Sequence, residues 1–303
     1  MAERLRLLVT GAGGQVGAEV MRQAPGLGVE AVGKSHAALD ITRPEAAAQI
    51  EEGGFDGVVN LAAYTAVDRA ESEAERAFAV NRDGPARLAE ACTRAGIPLL
   101  HVSTDYVFDG TKAAAWRESD PVAPLSVYGR SKAAGEEAIR ERLERHLILR
   151  SAWIFGRAGG NFVKTMLRLG SEREELRVVA DQRGCPTPAA DLAEAILLLM
   201  RRAAAAPEAA WGTYHYVGAG ATTWHGFATA IFEIAEELGW RRPKVVPIGT
   251  KDYPTPARRP ANSVLDCSKI AQNFAIASRP WQGGLRTMLE ALRREELERG
   301  RGA

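Results

Sequence analysis

The chain has 303 residues, 46% of them hydrophobic and 25% charged, with a formal net charge of +1; these are ordinary values for a globular protein, large enough for one α/β domain with a smaller lobe. Near-neutrality provides no global field for nucleic acid or an anionic membrane surface, so neither is expected as a partner, and an anionic ligand must be met by local groups. No apolar run reaches the about 18 residues that a bilayer requires, the charged start of the chain turns at once into a short strand rather than a secretion signal, and Cys92, Cys185 and Cys267 lie far apart without CxxC spacing, which argues against a disulfide framework or zinc site and fits a cytoplasmic setting.

In chain order, Leu5 to Thr10 reads as a strand and Gln15 to Gln23 as a helix. The junction between them is Gly11-Ala12-Gly13-Gly14-Gln15-Val16-Gly17. A strand that turns sharply into a helix can aim backbone N–H groups and the positive helix end at a pyrophosphate, with glycine wherever the backbone takes positive φ or must touch the ligand. Gly11, Gly14 and Gly17 space as G-x-x-G-x-x-G, and Val16 stands where G-x-G-x-x-G has its last glycine. An ordinary glycine-rich turn is the alternative.

Val29 to Val32 is a second strand. Residues after it would meet the adenine ribose, where an acid favours NAD and a base tolerates the extra phosphate of NADP. The stretch Gly33-Lys34-Ser35-His36 holds no acid. Lys34 or His36 could meet a 2′-phosphate, which favours NADPH with NADH as a second donor; a solvated loop lysine is the plain alternative. Asp40, followed by Ile41, could reach the adenine edge or cap the helix read over Pro44 to Glu52. A third strand spans Val58 to Leu61, a helical pattern Glu73 to Ala95, and the acids Asp68, Glu71, Glu73 and Glu75 read as a solvated helix face. The fourth strand, Leu99 to Ser103, ends in Ser103-Thr104-Asp105-Tyr106 at the carboxyl edge, where open α/β sheets bind ligands. Either hydroxyl there could hold a carbonyl oxygen. A helix over Ser131 to Leu143 and a strand over His146 to Phe155, running into a loop, complete the pattern. Strands alternating with helices imply right-handed crossovers, hence an α/β fold with a Rossmann-type doubly wound parallel sheet of unspecified strand order.

Tyr128 and Lys132 stand at i and i+4, one face of a helix. Free tyrosine titrates near about 10, too high for proton transfer near neutrality. An adjacent ammonium favours the phenolate; lowering it by about 3 pH units takes about 4 kcal/mol. With seven lysines in the chain the spacing alone is a weak signal, and it gains weight from following a fourth parallel strand in a chain that opens with a dinucleotide turn.

The second half is denser in proline and glycine around Gly184 to Pro188 and Pro243 to Pro260, with an amphipathic helix over Thr223 to Leu238, a charged helix over Gly284 to Arg299, and Ala203 to Ala206 as a helix end. The expected organisation is a dinucleotide-binding domain over residues 1–155, with returning segments near 178–205 and 212–218, and a smaller C-terminal substrate-binding lobe over 156–177 and 219–303.

Together these residues resemble the extended short-chain dehydrogenase/reductase superfamily. The stretches Asn60 to Asp68, Ser103 to Gly110, Tyr128 to Lys132, Asn161 to Val163, Asp181 to Thr187 and Arg259 to Ser263 resemble, within it, the dTDP-4-dehydrorhamnose reductase family over nearly the whole chain. The resemblance implies hydride transfer from NADPH or NADH to C4 of a dTDP-linked 4-keto sugar, with Tyr128 as proton donor, Lys132 as its activator and Thr104, rather than Ser103, on the carbonyl oxygen. It implies cofactor contacts at Asp40, Ile41, Ala62, Ala63 and Tyr64, sugar contacts at Asp105 and Trp153, and nucleotide or diphosphate contacts at Asn161, Arg183 and Arg259. Each has a plain alternative: Trp153 as core, Arg183 and Arg259 as surface ion pairs, Asn161 as a helix N-cap. Some members of the family are magnesium-bridged homodimers; no carboxylate cluster in this sequence names a metal site. Two other readings stay open: a nucleotide-sugar epimerase or dehydratase, and a non-catalytic NADP-binding regulator, since the β subunit of methionine adenosyltransferase resembles the same family.

Overall fold

The computed structural model describes residues 4–205 and 210–301. Six parallel strands make the central sheet: β1 (Leu5–Thr10), β2 (Val29–Lys34), β3 (Gly57–Asn60), β4 (Leu99–Thr104), β5 (His146–Ser151) and, returning late in the chain, a strand over Gly212–His215, in the order Gly212–His215, β5, β4, β3, β1, β2. The chain passes from β1 to β2 on one side and to β3 on the other, so the direction of winding reverses between β1 and β3. That opens a crevice at the carboxyl ends of these strands.

Alternation along each strand explains the two layers. Leu7, Val9, Val59, Leu100, Leu147 and Leu149 point into one core with helix α1 (Gln15–Gln23); Leu8, Val58, Leu99 and Ile148 point into the other with α2 (Glu45–Glu52). Each such side chain, fully buried, contributes about 1.5–3 kcal/mol. Three further helices of the first half are α3 (Val67–Ala70), α4 (Ala74–Phe78) and α5 (Gly84–Ala95), the last facing β3 and β4 beside α6 (Val127–Arg142).

Several boundaries differ from the sequence reading. The single helix expected over Glu73 to Ala95 is interrupted by a π-helical turn at Ala79–Asp83. Pro85, which has no N–H, stands in the first turn of the next segment, and the buried amide of Asn81 leaves the helix to bond both N (2.8 Å) and O (3.0 Å) of Tyr64. Helix α6 begins at Val127, a turn earlier than expected, because Ser126 caps it by accepting from the Gly129 N–H (3.1 Å). The strand expected over His146 to Phe155 stops at Ser151; Trp153 takes a positive φ of 48°, and β6 (Ile154–Phe155) starts anew.

Beyond β6, helix α7 (Phe162–Glu172) leads to β7 (Glu175–Val179), then β8 (Arg183–Gly184) and β9 (Thr187–Pro188). Helix α8 (Ala189–Ala205) packs on α1 in the first core. It runs into the expected Ala203 to Ala206 patch, whose Ala206 lies outside the described residues. The sixth strand of the sheet is β10, followed by β11 (Thr222–Thr223), α9 (Trp224–Glu237), β12 (Lys244–Ile248), α10 (Ser268–Phe274) and α11 (Trp281–Arg301). β7 pairs with β12, and α7, α9 and α11 cover them in a third core built on Phe227, Ile231, Phe232 and Leu285. The 219–303 lobe is not all of one piece: Ile270, Phe274 and Ile276 pack into the core of the large sheet. Among the described residues no helix is long and apolar enough to cross a membrane, and the three cysteines are free thiols.

One buried ion pair joins the sheet to its cover. Arg150 of β5 donates to both carboxylate oxygens of Glu136 on α6 (2.9 and 2.6 Å), with side chains 2% and 0% exposed. Without Arg150, Glu136 keeps only the partly exposed Arg140 of the same helix (3.3 Å), which leaves most of its charge uncompensated in the interior. Arg150→Met is expected to cost about 3 kcal/mol of unfolding free energy in chemical denaturation; a loss below about 1 kcal/mol would mean that Arg140 or a proton suffices for Glu136.

Candidate active site

A cavity of about 720 Å³ lies along the crevice at the carboxyl ends of β1, β3, β4 and β5. Its first wall is the β1–α1 turn, where Gly11 to Gly17 sit under the helix N-terminus. Gly11 has φ 66°, and a Cβ there would meet Leu61 and Ala62 backbone at 2.8 Å; a Cβ on Gly17 would collide with the Gly11 carbonyl. Both positions therefore exclude any larger residue, whereas a Cβ on Gly13 would meet nothing within 4 Å because it faces the cavity. Gln15 and Val16 line the same wall. A backbone cradle pressed this close to β3 and open on the other side fits a pyrophosphate.

Around the rim, Ala62, Ala63 and Tyr64 follow β3, and Asp40 and Ile41 follow β2. Asp40 does not cap α2, whose N-cap position is Pro44; its carboxylate instead accepts from the N–H (2.9 Å) and hydroxyl (2.7 Å) of Thr42. Lys34 does not line the cavity, because it is the last residue of β2 and its carbonyl is held by the Ala12 N–H; Ser35 and His36 line it instead.

Thr104, Asp105, Tyr128 and Lys132 form the floor with Ser103, Ser151 and Trp153. Thr104 is the last residue of β4, and its hydroxyl donates to Asp105 Oδ1 (3.0 Å) and accepts from the Tyr106 N–H (3.2 Å). Tyr128 sits in the first turn of α6, edge-on to Tyr106 with ring centroids 5.5 Å apart. Burial pushes its phenol up to about 12, against the opposing effect of the Thr104 hydroxyl. The lowering expected from Lys132 is thus not what the protein alone delivers. The reason is geometric: the Lys132 amine turns onto the Val102 carbonyl (2.7 Å) and His101 (3.0 Å), and burial pushes it down to about 8. Asp105 Oδ2, Ser103 Oγ and Ser151 Oγ are buried without a hydrogen bond inside the protein, which suits a polar ligand on this floor.

A second cavity of about 630 Å³ opens between α7, β7 and the loop after β12, lined by Trp224, Tyr253, Gln182 and three arginines, Arg173, Arg177 and Arg259. Trp153 of the first cavity stacks on Trp224 of the second (3.5 Å, 10°), so the two meet at an indole pair. Arg259 grips Asp68 of α3 with two bonds (3.1 and 2.8 Å). Asn161 is turned away from both cavities: its Oδ1 caps α7 at the Lys164 N–H (3.1 Å), and its Nδ2 donates to Gly156 O (2.7 Å) and Gln15 Oε1 (3.0 Å). The Arg183 side chain is exposed and lines neither.

The acidic run is a solvated face only in part: Glu71 and Glu75 are exposed, but three of the four acids also hold other segments in place. Besides Asp68, Glu71 accepts from the Val127 N–H at the start of α6 (2.8 Å), and Glu73 accepts from the Tyr64 hydroxyl (3.0 Å) and Arg69 (2.6 Å). These acids dock α6 and the β3 loop, and no local pattern announces it. Sequence reasoning also passed over His101, a histidine inside an apolar strand. Among the described residues no group of three or more His, Cys, Asp or Glu could hold a metal ion.

Residues 5–294 match the family model described as the RmlD substrate binding domain. A dTDP-4-dehydrorhamnose reductase of Sinorhizobium fredii is 45% identical over 290 residues, 95% of this chain and 98% of the relative. The chain belongs to this reductase family. A crystal structure of the family from Clostridium acetobutylicum superposes with a TM-score of 0.88 at 36% identity, covering 95% of this chain and 99% of that one. Another, from Bacillus anthracis in complex with NADP, superposes with a TM-score of 0.88 at 34% identity, covering 95% and 100%.

The floor carries an electrostatic load with a defined pH dependence. Burial raises the Asp105 carboxyl from its ordinary 3.8 to about 6. The folded protein therefore holds this proton more tightly than the unfolded chain, and stability falls as pH rises from 3.8 through about 6, by up to about 3 kcal/mol. Asp105→Asn, which keeps the acceptor for Thr104, should melt about 4–6 °C above the parent at pH near 7.5 in calorimetry, with the gap closing as pH approaches 4. A gap of equal size at both pH values would exclude the buried charge as its cause.

Proposed function

We propose that the protein reduces the C4 carbonyl of dTDP-4-dehydro-L-rhamnose to dTDP-L-rhamnose with NADPH, the last step in making that sugar donor. The observation that carries this reading is that Thr104, Tyr128 and Lys132 line the floor of the glycine-turn cavity together with Trp153, whose indole stacks on Trp224 of the arginine-lined cavity. A cofactor in the first cavity and a nucleotide sugar in the second would bring their reactive ends to the same floor. NADPH is favoured over NADH because the stretch Gly33-Lys34-Ser35-His36 at the end of β2 holds no acid and His36 lies at the rim.

Bound there, the cofactor supplies the hydride. The Thr104 hydroxyl orients the carbonyl oxygen by a hydrogen bond, and the Tyr128 phenol gives that oxygen its proton as negative charge develops on it. Lys132, as an ammonium, holds the nicotinamide ribose and favours the Tyr128 phenolate once the proton has gone. Asp105 and Trp153 contact the sugar. Trp153 holds its place through a strained backbone, φ 48°, a cost of about 1–3 kcal/mol that its stacking on Trp224 offsets. Arg259, kept in the second cavity by Asp68, meets the diphosphate.

Reduced-cofactor absorbance, followed with purified protein, NADPH or NADH, and the dTDP-4-keto sugar, tests the reading directly. Oxidation dependent on the sugar is expected; none, in protein that still binds the cofactor, would favour a regulatory role. Tyr128→Phe should lower kcat by at least about 100-fold, and up to about 10⁴-fold, with cofactor affinity nearly intact. Arg259→Ala should raise KM for the sugar nucleotide about tenfold, a loss of about 1.4 kcal/mol, and change KM for NADPH little. An Arg259→Ala enzyme with unaltered sugar-nucleotide KM would remove that arginine from the site.

A further inference from the structure

Thr10, Asn60, His101 and Lys132 form a continuous chain of buried polar side chains beneath the cofactor cavity, crossing from β1 over β3 and β4 to α6; the first three are 0% exposed and Lys132 is 2% exposed. Thr10 Oγ1 donates to Asn60 Oδ1 (2.6 Å), Asn60 Nδ2 lies 2.8 Å from His101 Nδ1, and His101 Nε2 lies 3.0 Å from Lys132 Nζ, which also donates to the Val102 carbonyl (2.7 Å).

The direction of these bonds is fixed from one end. The backbone N–H of Ala62 points at Asn60 Oδ1 (3.2 Å) and can only donate. The Asn60 amide is therefore oriented with its oxygen toward the β3 loop and its NH₂ toward His101. An NH₂ group only donates, so His101 Nδ1 carries no proton. Burial holds the imidazole well below its ordinary range, hence neutral, and its one proton sits on Nε2, facing Lys132 Nζ. An ammonium has no lone pair and would set donor against donor. A neutral amine accepts from Nε2–H and still donates to Val102.

We propose that His101 is a positioning residue: in the Nε2–H tautomer imposed by Asn60 it latches Lys132 as the neutral amine, and protonation of Lys132 releases it into the cavity, where the ammonium can meet a ribose hydroxyl and Tyr128. This rests on a nicotinamide cofactor occupying that cavity. The other groups around Lys132 set where release falls. Tyr128 stands one turn before it on α6. Glu136, one turn after, favours the ammonium, but its carboxylate is engaged by Arg150 of β5 (2.6 Å). Thr10 of β1 is uncharged. Burial brings the amine down to about 8, so the latch opens just below that pH.

Ring-nitrogen NMR of ¹⁵N-histidine protein without cofactor tests the tautomer. The His101 signals, identified by their loss in His101→Phe, should show a protonated Nε2 and a bare Nδ1; a protonated Nδ1 would overturn the proposal. With labelled lysine side chains, Lys132 should titrate near 8, and in His101→Phe, which cannot donate, about one pH unit higher, a tenfold change in proton affinity. An unmoved titration would overturn it. Asn60→Asp reverses the tautomer by accepting from Nδ1–H and should move Lys132 in the same direction, which serves if the phenyl variant does not fold. NADH affinity, free of a titrating 2′-phosphate, should weaken about tenfold from pH 7 to pH 9 in the parent and less than about twofold in His101→Phe; equal weakening in both would overturn the latch. Protein that binds neither nicotinamide cofactor would overturn the functional reading instead, and the two spectra would still decide the latch.

Discussion

Lys132 is an amine with 2% of its surface exposed, and Arg150, the other buried lysine or arginine among the described residues, has a carboxylate of its own. A buried ammonium is costly unless acceptors surround it. Here the neighbours are one carbonyl and one histidine. Much of the surrounding architecture keeps the amine in that setting. Ser126 caps the helix that carries it, Glu71 takes the first free N–H of that helix, and the π-turn lets Asn81 reach Ser131 (3.0 Å) and the Tyr64 loop together. Tyr128 and Lys132 are on one helical face by spacing. They stand over the sheet edge because α3, the π-turn and β4 each hold a different part of α6.

The same economy of contacts links the two cavities. Asp68 lies on α3, a few residues after the β3 loop, and it grips Arg259 from nearly two hundred residues later. Trp153 leaves the line of β5 with a positive φ and turns its indole onto Trp224 at the start of α9. One interaction is ionic and the other aromatic, and both join the sheet side of the crevice to the smaller core. Relative movement of the two parts would have to break a bidentate ion pair and a stacked pair at once. We read this as a pre-organised cleft rather than one assembled by closure.

The unbroken apolar runs Leu7-Leu8-Val9, Val58-Val59 and Leu147-Ile148-Leu149 made the sheet legible from sequence, because a parallel strand buried on both faces reads as a short continuous hydrophobic run. The glycine turn was legible for the same reason: Gly11 and Gly17 are dictated by backbone contacts within a few residues and with the next strand. What escaped depends on partners distant in the chain. Glu71 and Glu73 carry the pattern of a solvated face, and only the arrival of α6 and Tyr64 gives them work. Asn161 matches a motif, yet its amide is consumed by Lys164, Gly156 and Gln15. His101 looks like an anomaly in an apolar strand until Asn60 and Lys132 stand on either side of it.

Unpaired polarity concentrates where the chemistry is proposed. Three of the buried side-chain atoms without a partner, Ser103 Oγ, Asp105 Oδ2 and Ser151 Oγ, belong to residues that line the cavity at the carboxyl ends of β4 and β5. Each represents about 1–3 kcal/mol of desolvation that no internal bond returns, and the raised Asp105 carboxyl adds to it. On β3 and deeper on β4 the polar groups are paired: Asn60 uses its oxygen and its nitrogen, and His101 both ring nitrogens. A fold able to satisfy the lower layer so fully could satisfy the upper one with an added serine or asparagine. Leaving the upper layer open gives a polar ligand hydrogen bonds that the free protein lacks, so part of its binding energy is set aside at the reacting end, where interactions formed in the transition state raise the rate.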